Sequence, residues 1–495
     1  MKTLYKLICI LLCVFILIPL SACNEKLSSA IVYFELTTPP NTLDPQTAST
    51  NEELMIVRNI FEGLLRENEK GEIVAGVAES YKKQGLDYTF NLKENAVWSD
   101  GTPLTADDFA FGLRRAVQKD TKSPFVKRLF AIKNAEQINK GNLPASSLGV
   151  KVIDKNTLVI TLSKDDKNFL KTLTTSVAMP CNEAFFNSCK GQYGIKNNYI
   201  VSNGSYSITK WNREDFGIRI YRNKSYEGSF TAKNGAVFFS KQKDESTADR
   251  LLSNKSDIAF IENSDIDKFS SKDFSTAVTQ NICWVMTISG KFSPNMRRAF
   301  AELCDETVYK DKLKSGFTSA NSLFPSSLTK SENCEKVGKT SYNPKSALKL
   351  YSAAIMSYDD KKLPPTTLTY YDNEAIKPVI TAIVGHWQQN LSAFINIKPY
   401  ENSEELLPQL KNPTLDMSVF PINITSDYIE EYLQNYGINY KGESLAKLQK
   451  ELLKSNKIIP IAFENTNIVY SNTLTNVYCD NENGYIDFSY IIKED

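Results

Sequence analysis

The sequence is short of histidine and of net charge. Among 495 residues there is one histidine, His386, and 58 Lys and Arg stand against 57 Asp and Glu. A single imidazole, inside a predicted helix beside Trp387, leaves no histidine cluster for a metal and only one ring on which to build a Ser-His-Asp triad. The even charge removes the field that draws DNA or RNA as a class, so no nucleic acid partner is expected. Also missing are a Gly-x-Ser-x-Gly elbow, a His-Glu-x-x-His helix, a phosphate-binding loop, a Gly-x-Gly-x-x-Gly turn and cysteine pairs at zinc spacing. Adjacent acids such as Asp107 and Asp108, or Asp359 and Asp360, fit a helix N-terminus or a wet loop. This content predicts neither an enzyme nor a cofactor.

What is present is an ordinary globular composition, 42% hydrophobic, 23% charged and 11% aromatic, which excludes disorder and collagen. At roughly 100–200 residues per domain the chain exceeds one core, so a ligand site between lobes is open from the start. No solenoid-period repeat or low-complexity tract appears.

After Lys2 and Lys6 the chain is apolar and uncharged over the 14 residues from Leu7 to Leu20. That is short of the roughly 20 residues needed to span a bilayer, so residues 1–22 read as a secretory signal. The run ends in Leu20-Ser21-Ala22-Cys23, which resembles the lipobox of bacterial lipoproteins. The resemblance implies cleavage before Cys23, a diacylglycerol on its thiol, residues 23–28 as a tether, and anchorage on the outer face of the cell membrane, in the periplasmic space if the cell has one. The plain alternative is a signal peptide with an incidental cysteine. Without residues 1–22, which carry Lys2 and Lys6, 56 basic residues face 57 acidic ones. Cys181, Cys189, Cys283, Cys304, Cys334 and Cys479 then remain as thiols. Export permits disulfides, and Cys181 and Cys189 are near enough in sequence to pair; free buried thiols fit equally well.

Elements alternate along the mature chain. Ile31 to Leu36 reads as a short strand, stopped by Pro39-Pro40, since neither proline can donate to a ladder. Thr50-Asn51-Glu52-Glu53 reads as a capping box for a helix with Val57, Ile60, Phe61, Leu64 and Leu65 on one face. Tyr88, Phe90 and Leu92 alternate as a half-buried strand. Ser99-Asp100-Gly101-Thr102-Pro103 forms a turn behind Trp98, and Thr105 caps a helix facing inward through Phe109, Leu113, Ala116 and Val117. Strands are expected at 158–162 and 216–221, and helices at 344–354 and 375–391. The fold class is mixed α/β.

Asn59-Ile60-Phe61-Glu62-Gly63-Leu64-Leu65, Val74 to Tyr81, Tyr88 to Lys93 and Val97 to Phe109 closely resemble, block by block, the signature region of extracytoplasmic solute-binding proteins of the peptide, nickel and opine class. Asn203-Gly204-Ser205-Tyr206, Met296 to Phe300 and Tyr485 to Ile492 continue the match, which is strongest with oligopeptide-binding lipoproteins of ABC importers. The resemblance implies a periplasmic-binding-protein-like fold of two hinged lobes plus an inserted one: lobe I from 29–47, 179–278 and 463–495, lobe II from 48–178, lobe III from 279–462. It implies a monomer that captures a peptide in the cleft and passes it to membrane permease subunits. By position in the family the ligand-binding candidates are Pro40, Asn41, Phe125, Trp284, Met286, Tyr371, Phe420, Pro421, Ile422, Asn423, Thr425, Asp427 and Phe463. For Phe125 and Trp284 core packing is the competing reading.

One segment departs from the pattern. Oligopeptide binders carry Gly-Trp and then an Asp for the ligand's α-ammonium; here Pro421-Ile422 replaces Gly-Trp, Thr425 falls at the Asp, and Asp427 serves only after a two-residue shift. The alternatives to a transport subunit are therefore a peptide sensor or surface scaffold that feeds no transporter, and a binder of another small solute. The lack of histidine argues against imidazole-bound nickel.

Overall fold

A computed structural model describes residues 27–212, 217–241, 244–325, 338–400, 415–424, 445–480 and 485–494. The signal segment, Cys23, Cys334, Thr425 and Asp427 lie outside the described residues. The architecture is mixed α/β, as expected, and is organised on one large sheet.

One half of that sheet grows from Ile31–Glu35, where Val32 and Phe34 are buried and Tyr33 is exposed, the alternation of a strand with one covered face. It pairs in parallel with Ala236–Ser240 and Ile258–Ile261, and Gly217–Arg222 and Tyr206–Asn212 extend it antiparallel. Phe34, Phe239 and Phe488 pack as a triangle with ring centroids 5.4–5.8 Å apart. Their core runs on without a break to a separate four-stranded sheet of Ala78–Gln84, Asp87–Leu92, Thr157–Thr161 and Val150–Asp154, with Trp98 and the helix Ala106–Val117 beneath it. The turn behind Trp98 forms as read: Gly101 sits at φ +86°, and the Asp100 carboxylate accepts from the Thr102 N–H at 2.9 Å.

The helix after Thr50 has its capping box but is shorter than expected. It covers Asn51–Ile60, Phe61 is extended, and Leu65 opens a strand, Leu65–Glu67. Apolar spacing alone did not show what stops it. Asn203 accepts from the Glu62 N–H at 3.1 Å and donates to the Glu62 carbonyl at 2.8 Å, while the Gly204 N–H caps the Ile60 carbonyl at 2.8 Å. A Cβ on Gly204 would stand 2.6 Å from the Ile60 carbonyl carbon, so only glycine allows the approach. Asn59 fastens the same helix to the C-terminal segment. Its amide donates to the Ile486 carbonyl at 2.9 Å and accepts from the Phe488 N–H at 2.8 Å.

The other half of the sheet runs Ile395–Tyr400, Thr366–Tyr371, Met417–Asn423. Trp284, Met286 and Ile288 point to one face, against Phe300 and Trp387 of the helices Pro294–Glu302 and Lys377–Leu391. Cys283, Val285, Phe420, Ile422 and Phe463 point to the opposite face, against Leu323, Phe324, Leu448 and Leu452.

Two long antiparallel strands, Phe274–Ile288 and Ile458–Ser471, belong to both halves. Their register slips twice, between Thr279 and Ile282 and again between Trp284 and Val285. The first slip places an extra residue in one strand and the second places it in the other, and each such bulge bends and twists the ribbon. Polar side chains bond to one another around the first slip. Gln280 donates to Thr318 at 2.9 Å and Asn465 at 3.1 Å, Asn281 accepts from Thr466 at 3.1 Å, and Asn467 donates to Asn263 at 2.6 Å. The first slip is polar, whereas the second lies inside the packing, with Trp284, Ile461 and Ala462 in one core and Val285 in the other.

Cys181, Cys189, Cys283, Cys304 and Cys479 are free, so the Cys181–Cys189 pairing that spacing permits is not formed here. Burial pushes the Cys181 thiol up to about 12 and the Cys304 thiol up to about 11. Both are expected to resist iodoacetamide at pH 8 until denaturant is added, read by peptide mapping; labelling of the native protein, or a Cys181–Cys189 disulfide in the map, contradicts the assignment. Asn59→Ala leaves two buried backbone groups unpaired and is expected to cost about 3 kcal/mol in urea unfolding; a loss within error of zero contradicts the role given to Asn59.

Candidate functional site

Pro40 is buried and Asn41 exposed in the loop that leaves the first strand. Two acids in the first turn of the helix Asn51–Ile60 shape this loop. Glu53 accepts from the Asn41 N–H at 2.8 Å and the Thr42 N–H at 3.2 Å with one oxygen, and from the Ser49 and Thr50 N–H groups at 2.9 and 3.1 Å with the other. Glu52 takes the Thr37 hydroxyl at 2.7 Å. A carboxylate holding four N–H donors fixes a loop more firmly than a capping box does. The capping motif points to Glu53, but nothing in the sequence shows its reach back to Asn41.

At the crossing, the Trp284 indole N–H donates to Glu464 at 2.8 Å, and the Tyr371 ring lies 6.2 Å from the indole at a 39° tilt. Glu464 is half-buried, and burial raises its carboxyl above the ordinary range despite the indole N–H, which pulls it down. Sequence reading passed over Glu464, an isolated acid in an apolar run next to Phe463. Pro421 stands opposite Trp284 in the ladder, beyond the three residues of its strand that pair with Thr366–Tyr371, so its missing N–H interrupts no bond on that side.

The remaining candidates divide between faces. Met286 is fully buried between sheet and helices, whereas Phe420, Ile422 and Phe463 share the core of the opposite face, and Asn423 is half-buried at the strand end beside Ile282. Trp284 and Tyr371 are thus brought together, Met286 and Phe420 are not, and Thr425 and Asp427 lie outside the described residues. His386 contacts Tyr342 at 3.1 Å on a half-buried helix face, and burial lowers its pKa.

Phe125 stands apart, in the other core. It lines a small cavity of about 20 Å³ with Arg58, Glu67, Arg128, Lys171 and Tyr485. The Arg128 guanidinium lies 5.0 Å from the Phe125 ring centroid. Glu67 is 3.9 Å from both Arg58 and Lys171, and Arg58 also faces Asp480 at 3.7 Å. Hydropathy patterns do not find such a pocket, because its charges come from four separate segments.

Comparison with known proteins agrees with this architecture. The chain is 32% identical over 222 residues to the periplasmic murein peptide-binding protein MppA of Escherichia coli, covering 44% of this chain and 41% of that protein. It is 28% identical over 378 residues to the periplasmic oligopeptide-binding protein OppA of Salmonella typhimurium, covering 73% and 68%. The solved structure of MppA in its unliganded open form superposes with a TM-score of 0.74 at 23% identity, covering 94% of this chain and 97% of that one, which establishes the fold. The family model for bacterial extracellular solute-binding proteins, family 5 middle, matches residues 72–444. With three quarters of the chain inside that match and the crossing strands of the fold in place, the chain belongs to the family 5 bacterial extracellular solute-binding proteins.

Proposed function

We propose that this chain is the extracytoplasmic peptide-capture subunit of an ABC importer, anchored through Cys23, which holds a peptide between hinged lobes and hands it to permease subunits without catalysing a reaction. The observation that carries the reading is the pair of long strands that, among the described residues, run through both halves of the large sheet, with two bulges along them. At the first bulge the side chains of Gln280, Asn281, Asn465 and Thr466 bond among themselves, and a change of twist there exposes little core, as hinge closure requires. The partition of cores supports a lobe III, 279–462, apart from lobe I, 29–47, 179–278 and 463–495, and lobe II, 48–178, taken together. Lobes I and II share one core and move as one body, clamped by Asn59 and by the buried Arg115 guanidinium on Asp44 and Gln46. Lobe III is the moving partner.

In the cleft, Asn41, Tyr371, Pro421, Asn423 and Glu464 are the groups we assign to the ligand, while Trp284 and Phe125, both buried in cores, support the walls. Met286, Phe420, Ile422 and Phe463 support them from the cores. Main-chain pairing along the strand edges supplies affinity that is tolerant of side chains. Ligand stabilises the closed form by its differential affinity, and the permease reads that form.

Native mass spectrometry of the purified protein is expected to find co-purified peptide, and di- to octapeptides are expected to raise the melting temperature. Glu464→Gln is expected to weaken binding of free-amine peptides about tenfold or more while the apoprotein melts as before. No stabilisation by any peptide at millimolar concentration, with a non-peptide solute found in the mass spectrum, would move the assignment to another small solute. Peptide binding in cells whose peptide uptake is unchanged by deletion of the gene would favour the sensor.

A further inference from the structure

The first half of the large sheet has one face in the core and the other in solvent. Val32, Phe34, Val237, Phe239, Ile218 and Ile220 are packed inward, so Tyr33, Phe238, Arg219 and Tyr221 point away from that core. The helix Thr247–Leu252 packs on the outer face at the next strand, against Ala259 and Ile261. Past it, Tyr33 and Tyr221 stand 40% and 39% exposed on either side of Phe238, with ring centroids 5.6 and 5.8 Å from that ring in T-shaped contacts. The Arg219 guanidinium lies 4.6 Å from the Phe238 centroid.

The uncompensated charge on this face is positive. Lys210 stands directly opposite Arg219 in the ladder, both side chains are exposed, and neither meets a carboxylate among the described residues. Like charges facing each other across two strands repel, and an anion lying over both removes the repulsion. Beside Tyr33, Asp257 is paired with Lys493 at 2.7 Å and Glu35 with Arg250 at 2.8 Å, so neither acid offsets the Lys210 and Arg219 pair.

The place where the chain enters the body points to what this face meets. The Ser28 N–H donates to the Lys233 carbonyl at 2.9 Å. The Ser28 carbonyl accepts from the Arg222 guanidinium, which also binds the Ala232 and Lys233 carbonyls at 2.9 and 2.8 Å. Five residue steps separate this fastening from Cys23 and span about 18 Å at most. Three residues after Ser28, Ile31 stands opposite Ala236 and Ala236 opposite Tyr221, which puts Tyr221 about 10 Å from Ile31. A diacylglycerol on Cys23 therefore keeps this face within reach of lipid headgroups. Tyrosine suits that layer, with an apolar ring and a polar tip, and a facing pair of cations suits its phosphates.

We propose that this face, through Tyr33, Tyr221, Lys210 and Arg219, docks on the anionic phospholipid surface to which the chain is tethered and sets one orientation of the body on the bilayer. The proposal rests on the Cys23 anchor and goes beyond it, because a tether fixes a distance and no orientation.

The test is hydroxyl-radical footprinting of the full mature, lipidated chain in detergent, on phosphatidylcholine vesicles, and on the same vesicles with phosphatidylglycerol added. Oxidation is read by peptide mass mapping, and the N-terminal peptide in the same map reads the lipid on Cys23. Tyr33 and Tyr221 are expected to oxidise about threefold more slowly on the anionic vesicles than in detergent, with less protection on neutral vesicles or at high salt. Tyr342, equally exposed but in lobe III, is expected to keep its rate. Lys210→Gln together with Arg219→Gln is expected to melt no lower than the parent, since a repulsion is removed, and to lose most of the protection. With lipid present on Cys23, equal oxidation of Tyr33 and Tyr221 in detergent and on both vesicles overturns the docking surface and leaves the anchor standing, as does protection that the double substitution does not alter. Protection that appears only on vesicles holding the permease subunits overturns it in favour of a protein partner. A Cys23 peptide without lipid overturns the anchor and the surface with it.

Discussion

Two antiparallel strands have to serve both halves of one large sheet, and the rest of the structure follows from how they do it. A continuous flat ribbon from residue 274 to 288 paired with 458 to 471 would weld the halves into one rigid sheet. Two opposed bulges break the ribbon, and each removes regular ladder bonds that buried backbone cannot go without. Backbone outside the ribbon supplies partners: the Asn465 N–H donates to the Gly316 carbonyl at 2.8 Å, the Asn281 carbonyl accepts from the Ile424 N–H at 2.9 Å and the Ile461 carbonyl from the Ala320 N–H at 3.0 Å, while the side chains of Gln280, Asn281, Asn465 and Thr466 bond around the first bulge. Twisting at the first bulge, among polar side chains, uncovers little apolar surface, whereas the second bulge sits between packed cores and resists.

The same economy of contact explains where chemistry can sit. Trp284 belongs to the core against the helices, and its indole N–H reaches the half-buried Glu464 carboxylate from there. On the other side the loop bearing Asn41 is held to its helix by the four N–H groups that Glu53 gathers, and that helix is held to the C-terminal segment through Asn59. Residues that resemble a family signature, Asn59, Glu62 and Gly204 among them, act here as fasteners between segments far apart in sequence. They set the position of the groups we assign to ligand.

What could be read from the sequence was local. The two capping boxes, the turn behind Trp98 and the alternation at Tyr88, Phe90 and Leu92 rest on neighbours a few residues apart, and they stand as read. The helix after Thr50 was overextended because Leu64 and Leu65 keep helical spacing, while the groups that end it, Asn203 and Gly204, lie some 140 residues away. Resemblance identified Trp284 and Tyr371 as cleft candidates, and the indole N–H then singles out Glu464, which carries no motif. The pocket at Phe125 was half legible: the aromatic was named, but Arg58, Arg128 and Lys171 join it only through tertiary packing.

The account stands or falls on closure, and small-angle X-ray scattering of the mature chain with and without a saturating peptide measures it directly. A hinge at the bulged crossing predicts a smaller radius of gyration and a shortened maximum dimension when peptide is bound. Superimposable curves for the free and the fully occupied protein would mean that the crossing does not bend, and would contradict the account.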